Sequence, residues 1–301
     1  MSEPNESGKI AVTGATGHLG RLVIESLLDR GVAPSNIVAA VRNPVRASDL
    51  AARGVEIREA DYTKPETLSK AFDGVEKLLL VSSSEVGQRS AQHKNVIEAA
   101  KEAGVKLLAY TSLLKADTSK MALGGEHKET EKMIRESGIP FVFLRNGWYI
   151  ENYQQPIEQA AKTGVLYGAA GDGKISAATR ADYAEAAAAV LSGPVEPNSI
   201  FELGGDTAFT LADLAQGISD NSGLDVEYKD LSEEDYAALL ISAGLPEPYA
   251  NVLADSDTGI ARGDLFTDSG DLSKLIGRPT TTIAEAVRAA HTNHHRAKKA
   301  A

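Results

Sequence analysis

Three glycines spaced three residues apart, Gly14, Gly17 and Gly20, constrain this chain more than any other feature. They follow an apolar run at residues 10–12 and precede residues 19–28, where apolar side chains recur at helical spacing. A strand, a glycine turn and an amphipathic helix in this order are typical of dinucleotide binding, because free helix N–H groups meet the pyrophosphate. The predicted contacts are Gly14, Ala15, Thr16, Gly17, His18, Leu19 and Gly20. The alternative is a plain strand-to-helix turn.

The first half of the chain alternates short apolar runs with helical patterns. The runs that we predict as strands are residues 10–12, 37–41, 55–57, 77–81, 105–110 and 140–144. This alternation predicts an α/β fold, a Rossmann-like doubly wound parallel sheet with strand order 3-2-1-4-5-6. Ligands are then expected at the carboxyl ends of strands 1 and 4.

The alternation loosens after Leu144. We predict one further strand at residues 200–203 and helices at residues 177–191, 211–218, 233–241 and 283–290. The expected organisation is a dinucleotide-binding Rossmann domain at 9–151 and a small, mostly helical substrate lobe at 152–290 with some return to the sheet. Residues 1–8 and 291–301 are expected to be flexible tails.

The composition excludes several classes of protein. The 301 residues contain no cysteine, which rules out thiol catalysis, disulfides and cysteine-ligated metals. A net charge of −11 argues against nucleic acid and anionic membranes as partners. No apolar run approaches the roughly 20 residues that span a bilayer. We therefore expect a cytoplasmic protein without a metal site.

The residue after the second predicted strand indicates which dinucleotide binds. An acidic residue there would bind the ribose 2′-hydroxyl of NAD, but no Asp or Glu lies between Ile37 and Arg46. Arg42 stands there instead, and a guanidinium can clamp the 2′-phosphate of NADP. Arg42, assisted by Arg46, therefore predicts NADP (NADPH); the alternative is an exposed loop arginine.

Polar residues follow the third and fourth predicted strands. Asp61 and Tyr62 are placed to flank the adenine. Ser82, Ser83 and Ser84 are placed to face the nicotinamide ribose, although a polar strand end is an equal alternative for any one of them.

Longer runs resemble one family. They are residues 12–20, 41–44, 80–89, 110–114, 144–149, 168–174 and 275–280. They resemble the bacterial NAD(P)H:quinone oxidoreductases in the NmrA-like branch of the atypical short-chain dehydrogenase/reductases. The resemblance implies a flavin-free enzyme that passes hydride from NADPH to a quinone. It also implies cofactor contacts at the glycine turn, Arg42, residues 82–84 and the loop 146–149, which includes Asn146, Gly147 and Trp148. Thr111 and Lys132 are further predicted cofactor contacts, with Lys132 expected at the nicotinamide ribose.

Many short-chain dehydrogenases use a Tyr-x-x-x-Lys pair with a serine, the lysine lowering the tyrosine pKa. Ser112 and Lys132 stand where that serine and lysine are expected, but Lys128 replaces the tyrosine. Ordinary alcohol–ketone chemistry is therefore in doubt. Quinone reduction tolerates the loss, because a quinone is a strong hydride acceptor. An exposed helix lysine is the alternative for Lys132.

Five further side chains complete the predicted site. His127 is a candidate proton donor, with a packing role as the alternative. Asn146, Trp148, Tyr149 and Tyr153 follow the sixth strand and are predicted substrate contacts. Trp148 can wall a flat aromatic substrate or pack in the core.

The leading hypothesis is NADPH-dependent quinone reduction, with a small-molecule quinone as partner and a homodimer left open. One alternative is a non-enzymatic NADP-sensing regulator that binds a partner protein. Another is a reductase or epimerase that acts on a sugar or phenolic substrate.

Overall fold

The computed structural model of the protein describes residues 8–288. The predicted tail at 291–301 and all but the last residue of the predicted tail at 1–8 lie outside this range. The strands are β1 Lys9–Thr13, β2 Ile37–Val41, β3 Glu56–Glu59, β4 Val75–Leu80, β5 Leu107–Leu113, β6 Phe141–Asn146, β7 Val165–Gly168, β8 Ser199–Leu203 and β9 Glu227–Asp230. The helices are α1 His18–Asp29, α2 Ser48–Ala52, α3 Pro65–Ala71, α4 Arg89–Glu102, α5 Ala122–Ser137, α6 Gln154–Thr163, α7 Arg180–Ser192, α8 Leu211–Ser222, α9 Glu233–Ser242, α10 Glu247–Ala261 and α11 Asp271–Ile276.

A seven-stranded sheet with the order β3-β2-β1-β4-β5-β6-β8 forms the main framework. Four neighbouring pairs in this sheet are parallel: β3–β2, β2–β1, β1–β4 and β4–β5. The predicted Rossmann-like order of the first six strands is confirmed, and the predicted additional strand is β8 at the sheet's edge. Ala11 and Val12 of β1 point to opposite faces and are both fully buried, so both faces of the sheet are covered.

Several helix boundaries differ from the sequence predictions. Helix α5 begins at Ala122 and contains Gly124 and Gly125, two weak helix formers, so the sequence does not indicate where it starts. Helix α10 begins at Glu247, between Pro246 and Pro248, and is absent from the predicted helices. Helix α6 and the two-stranded parallel sheet β7–β9 were not predicted. Strands β7 and β9 have only four residues each, too few for an alternating pattern to identify them.

The described chain divides into two compact units. The first contains residues 8–113, 126–145 and 180–201, and the second contains residues 114–125, 146–179 and 202–288. The first unit contains the glycine turn and most of the large sheet, whereas the second contains β7, β9 and helices α6 and α8–α11. The predicted domain boundary after residue 151 stays a prediction. Within the described range, no helix is both long and apolar enough to cross a membrane.

Candidate dinucleotide-binding site

The glycine turn joins β1 to α1 within the first unit. Gly14 has a φ of +58°, a conformation that favours glycine, and the backbone N–H of Gly17 donates to its carbonyl at 2.8 Å. A Cβ on Gly20 would lie 2.5 Å from the same carbonyl oxygen, so only glycine allows α1 to approach β1 this closely. Gly17 caps α1 without a side-chain hydrogen bond, which leaves the first N–H groups of the helix available to an anion.

A cleft of about 540 Å³ lies beside this turn. Its lining comes from the segments that follow β1, β2, β3 and β4, at the edge of the sheet where the sequence predicted a ligand. The predicted residues that line it are Gly14, Thr16, Gly17, His18, Leu19, Gly20, Arg42, Asp61, Tyr62, Ser82, Ser83 and Ser84. Ala15 is fully buried and is not part of the lining.

Glu85 and Gln92 are among the polar lining residues that the sequence analysis did not select. Glu85 directly follows the serine segment, residues 82–84, and its carboxylate Oε1 lies 3.1 Å from Nη1 of Arg42. Gln92, from the first part of α4, donates to the other carboxylate oxygen at 2.8 Å. The strand order could have identified Glu85 and Gln92, because segments that follow neighbouring parallel strands meet at the same edge of a sheet. Arg46, predicted to assist Arg42, also lines the cleft.

Asp61 and Tyr62 are fixed by hydrogen bonds. The Tyr62 hydroxyl lies 2.5 Å from the Thr13 hydroxyl and 2.8 Å from the Val81 carbonyl oxygen, which ties the ends of β1 and β4 together. Burial raises the pKa of Tyr62 above its usual range. Desolvation raises the pKa of Asp61, but hydrogen bonds from Thr63 outweigh it and hold this pKa below its usual value. Asp61 is therefore an anion at neutral pH.

Buried side chains form hydrogen bonds with the backbone of the serine segment and fix its position. Ser82 N–H donates to the Thr111 hydroxyl at 2.8 Å, so the predicted contact Thr111 acts on the segment's backbone. Ser83 N–H donates to Nε2 of His93 at 2.9 Å, and Arg89 Nε donates to the Ser83 carbonyl at 2.8 Å. Burial, together with the Arg89 charge, lowers the pKa of His93 to about 3, which keeps the imidazole neutral as an acceptor.

The three predicted catalytic residues do not line the cleft. The Lys132 side chain is 72% exposed and lies 3.8 Å from Glu136 on the same helix. The Ser112 hydroxyl is buried and donates to Glu131 at 2.7 Å. His127 is buried, and its Nδ1 lies 2.7 Å from the Tyr110 hydroxyl oxygen. Burial lowers the pKa of His127 well below its usual value. Their catalytic roles stay predictions.

The predicted contacts after the sixth strand belong to the second unit. Gly147 N–H donates to the Leu203 carbonyl at 2.8 Å, and the Trp148 carbonyl accepts from Ala178 at 3.1 Å. Trp148 and Tyr149 are half-buried. Asn146 Oδ1 and the Tyr153 hydroxyl are buried polar atoms without a hydrogen-bond partner. Their contacts with cofactor or substrate stay predictions. Between residues 8 and 288, no group of three or more His, Asp or Glu side chains could hold a metal.

Comparison with known proteins identifies relatives over nearly the whole length. Quinone oxidoreductase 2 of Escherichia coli strain K12 is 59% identical over 278 residues, which is 92% of this chain and 97% of that protein. A crystal structure of the NADPH-dependent quinone oxidoreductase from Escherichia coli, complexed with NADPH, matches with a TM-score of 0.91 at 59% identity, covering 92% of this chain and 98% of that one.

A second solved structure extends the comparison to another activity. The triphenylmethane reductase of Citrobacter sp., complexed with NADP(H), matches with a TM-score of 0.90 at 41% identity, covering 94% of this chain and 100% of that one. The model of the NmrA-like family matches residues 6–281. The resemblance noted from the sequence is thus confirmed, and the chain belongs to the NmrA-like family.

Proposed function

We propose that this chain is an NADPH-dependent quinone reductase that binds its cofactor in the cleft of the first unit. The observation that carries the proposal is the glycine turn and Arg42 lining one cleft. The chain around that cleft is 59% identical to a quinone oxidoreductase that has been crystallised with NADPH. The regulator alternative is not favoured, because these relatives are named for reductase activities.

The cleft has the shape and the groups that a dinucleotide needs. The uncapped start of α1 suits the pyrophosphate, and the lack of side chains at the glycines leaves room for it. Arg42 and Arg46 suit the 2′-phosphate, because a guanidinium can donate two parallel hydrogen bonds to phosphate oxygens. Asp61 and Tyr62 flank the adenine side, and the serine segment lies on the nicotinamide side.

Catalysis in this proposal rests on positioning. When bound, NADPH supplies the hydride that reduces the quinone, without a flavin. The protein fixes the ribose through the segment at Ser82 and Ser83, whose backbone is itself fixed by Thr111 and His93. The position of the usual tyrosine is taken by Lys128, and a quinone needs less acid catalysis than a ketone because its reduced form is a weak base. Asn146, Trp148, Tyr149 and Tyr153 are the proposed quinone contacts.

The test measures consumption of NADPH by the purified protein. Mixing it with NADPH and 1,4-benzoquinone should remove the absorbance of the reduced nicotinamide far faster than the same mixture without protein. Arg42→Ala should raise the KM for NADPH about 10- to 100-fold and change that for NADH little, because charge-assisted phosphate contacts are among the strong ones. Turnover at the uncatalysed rate with several quinones contradicts the proposal.

A further inference from the structure

The Arg42–Glu85 ion pair bridges the sheet edge at which the glycine turn lies. Arg42 follows β2 and Glu85 belongs to the loop after β4, and these two strands flank β1 on either side. Their Nη1 and Oε1 atoms are 3.1 Å apart, and both residues line the cleft. The arginine that is proposed to bind the 2′-phosphate is therefore already engaged by an acid of the same chain.

Two hydrogen bonds besides the ion pair hold Glu85 in position, and a third fixes the loop beyond it. Its second carboxylate oxygen accepts from Gln92 Nε2 at 2.8 Å, and Gln92 is buried. Its backbone N–H donates to the Ser83 hydroxyl at 3.2 Å. Further along the loop, Gly87 N–H donates to Glu126 at 3.0 Å. These contacts orient the carboxylate towards Arg42 and lower the entropic cost of the pair.

We propose that Glu85 is a specificity-determining residue that competes with the 2′-phosphate of NADPH for Arg42. The inference rests on the proposed NADPH site. The Glu85 carboxylate occupies Nη1 of Arg42, which is one of the donors that a phosphate would use, and two anions at one guanidinium repel each other. Binding of NADPH therefore has to weaken or displace the pair. NADH carries a 2′-hydroxyl instead, which is neutral and leaves the pair intact.

The exposure of the Arg42 and Glu85 side chains determines how much their ion pair can weaken NADPH binding. The side chains of Arg42 and Glu85 are 74% and 40% exposed, so water screens the pair. An exposed pair of this kind changes an equilibrium constant by up to about fivefold. Arg46 lines the same cleft and offers the phosphate a second guanidinium once Glu85 has moved away. Glu85 thus narrows the preference for NADPH over NADH without abolishing it.

The experiment compares the affinities of Glu85→Gln and the unmodified protein for NADPH and NADH, measured by nucleotide fluorescence. Glu85→Gln should tighten NADPH binding about two- to fivefold and leave NADH binding unchanged. The matched control is Glu98→Gln. Glu98 carries the same charge as Glu85 and forms an exposed ion pair with Lys94 on α4, in which Nζ lies 3.7 Å from Oε1. Neither Glu98 nor Lys94 lines the cleft. Glu98→Gln should change neither affinity. An equal gain for both nucleotides, or no gain for NADPH, overturns the proposal.

A double variant separates competition from simple repulsion. In the Arg42→Ala background, Glu85→Gln should improve NADPH binding by less than in the native background, because there is no shared arginine to release. An equal improvement in both backgrounds overturns the competition. Failure of the unmodified protein to bind NADPH at all contradicts the proposed function instead, so the two failures are distinguishable. Glu85 is half-exposed, and unchanged thermal melting of the variant confirms that it folds.

Discussion

Glu131 of α5 and Arg145 of β6 form a doubly hydrogen-bonded ion pair in the interior of the first unit. The Nε–Oε1 distance is 2.9 Å and the Nη2–Oε2 distance is 2.8 Å. The two side chains are only 2% and 4% exposed, and Ser112 donates to the same carboxylate at 2.7 Å. The serine that occupies the place of a catalytic residue is thereby part of a buried structural network.

Removal of one partner from this pair should destabilise the fold strongly. Arg145→Met removes the buried partner of the Glu131 charge and leaves only the more exposed Arg135 beside it, so we expect the free energy of unfolding to fall by about 3–5 kcal/mol. Urea denaturation measures the change. Arg135→Met is the control, because Arg135 lies 3.6 Å from the same carboxylate but is 43% exposed, and it should cost about 1 kcal/mol or less. Equal losses in the two variants contradict the prediction.

The sequence predicts well what is local or periodic. The six apolar runs predicted the order of the first six strands, because parallel crossovers are right-handed and burial makes such strands continuously apolar. Arg42 could be selected because it directly follows β2. Helix α10 was missed because a Pro- and Gly-containing segment hides its start at Glu247.

Side-chain partners that are distant in sequence could not be predicted. The contact between Arg42 and Glu85 joins residues 43 positions apart, and no pattern in either segment specifies the other. The support of Ser83 by His93 depends on the rotation of α4, which periodicity leaves open. Lys132 was selected by its place in a motif, whereas its direction on α5 depends on how that helix packs.

Substitution of the third glycine should impair both stability and cofactor binding. In Gly20→Ala, the new Cβ would meet the Gly14 carbonyl oxygen at 2.5 Å, so α1 must shift away from the turn. Overpacking of this kind costs about 1–3 kcal/mol. We expect a lower melting temperature and at least about tenfold weaker NADPH binding, since small misplacements of a binding site are costly.

The control for that variant is a glycine inside a helix with open space. A Cβ on Gly217 in α8 meets no atom within 4 Å, and alanine should stabilise the helix by about 0.5–1 kcal/mol. Gly217→Ala should therefore raise the melting temperature and leave NADPH affinity unchanged. A Gly20→Ala protein that melts and binds like the unmodified one contradicts the close approach.

His93 should be neutral with its proton on Nδ1. Thr130 donates its hydroxyl hydrogen to the Glu126 carbonyl at 2.9 Å, so it accepts from Nδ1, 2.9 Å away, while Nε2 accepts from Ser83. Burial lowers the pKa of His93 to about 3. Nitrogen-15 NMR of the imidazoles should show this tautomer at neutral pH and no titration above about pH 4. A charged His93 ring at pH 6 contradicts the prediction.

Asp257 of the second unit should make stability depend on pH. Its carboxylate Oδ2 accepts from Ala169 N–H at 2.9 Å, and Asp257 is only 8% exposed. Burial raises the pKa of Asp257 to about 7; the hydrogen bond from Ala169 opposes this shift, whereas the nearby Asp230 charge adds to it. The unfolded chain has an ordinary aspartate with a pKa of about 3.9.

The sign of the effect follows from which state holds the proton. Between about pH 4 and pH 7 the folded protein keeps the Asp257 proton and the unfolded chain has lost it, so this group's contribution to stability falls as the pH rises, by up to about 4 kcal/mol. Above about pH 7 both states are ionised and the contribution levels off. Asp257→Asn should therefore gain stability relative to the native protein across this window in urea titrations. A pH-independent difference between Asp257→Asn and the native protein contradicts the raised pKa.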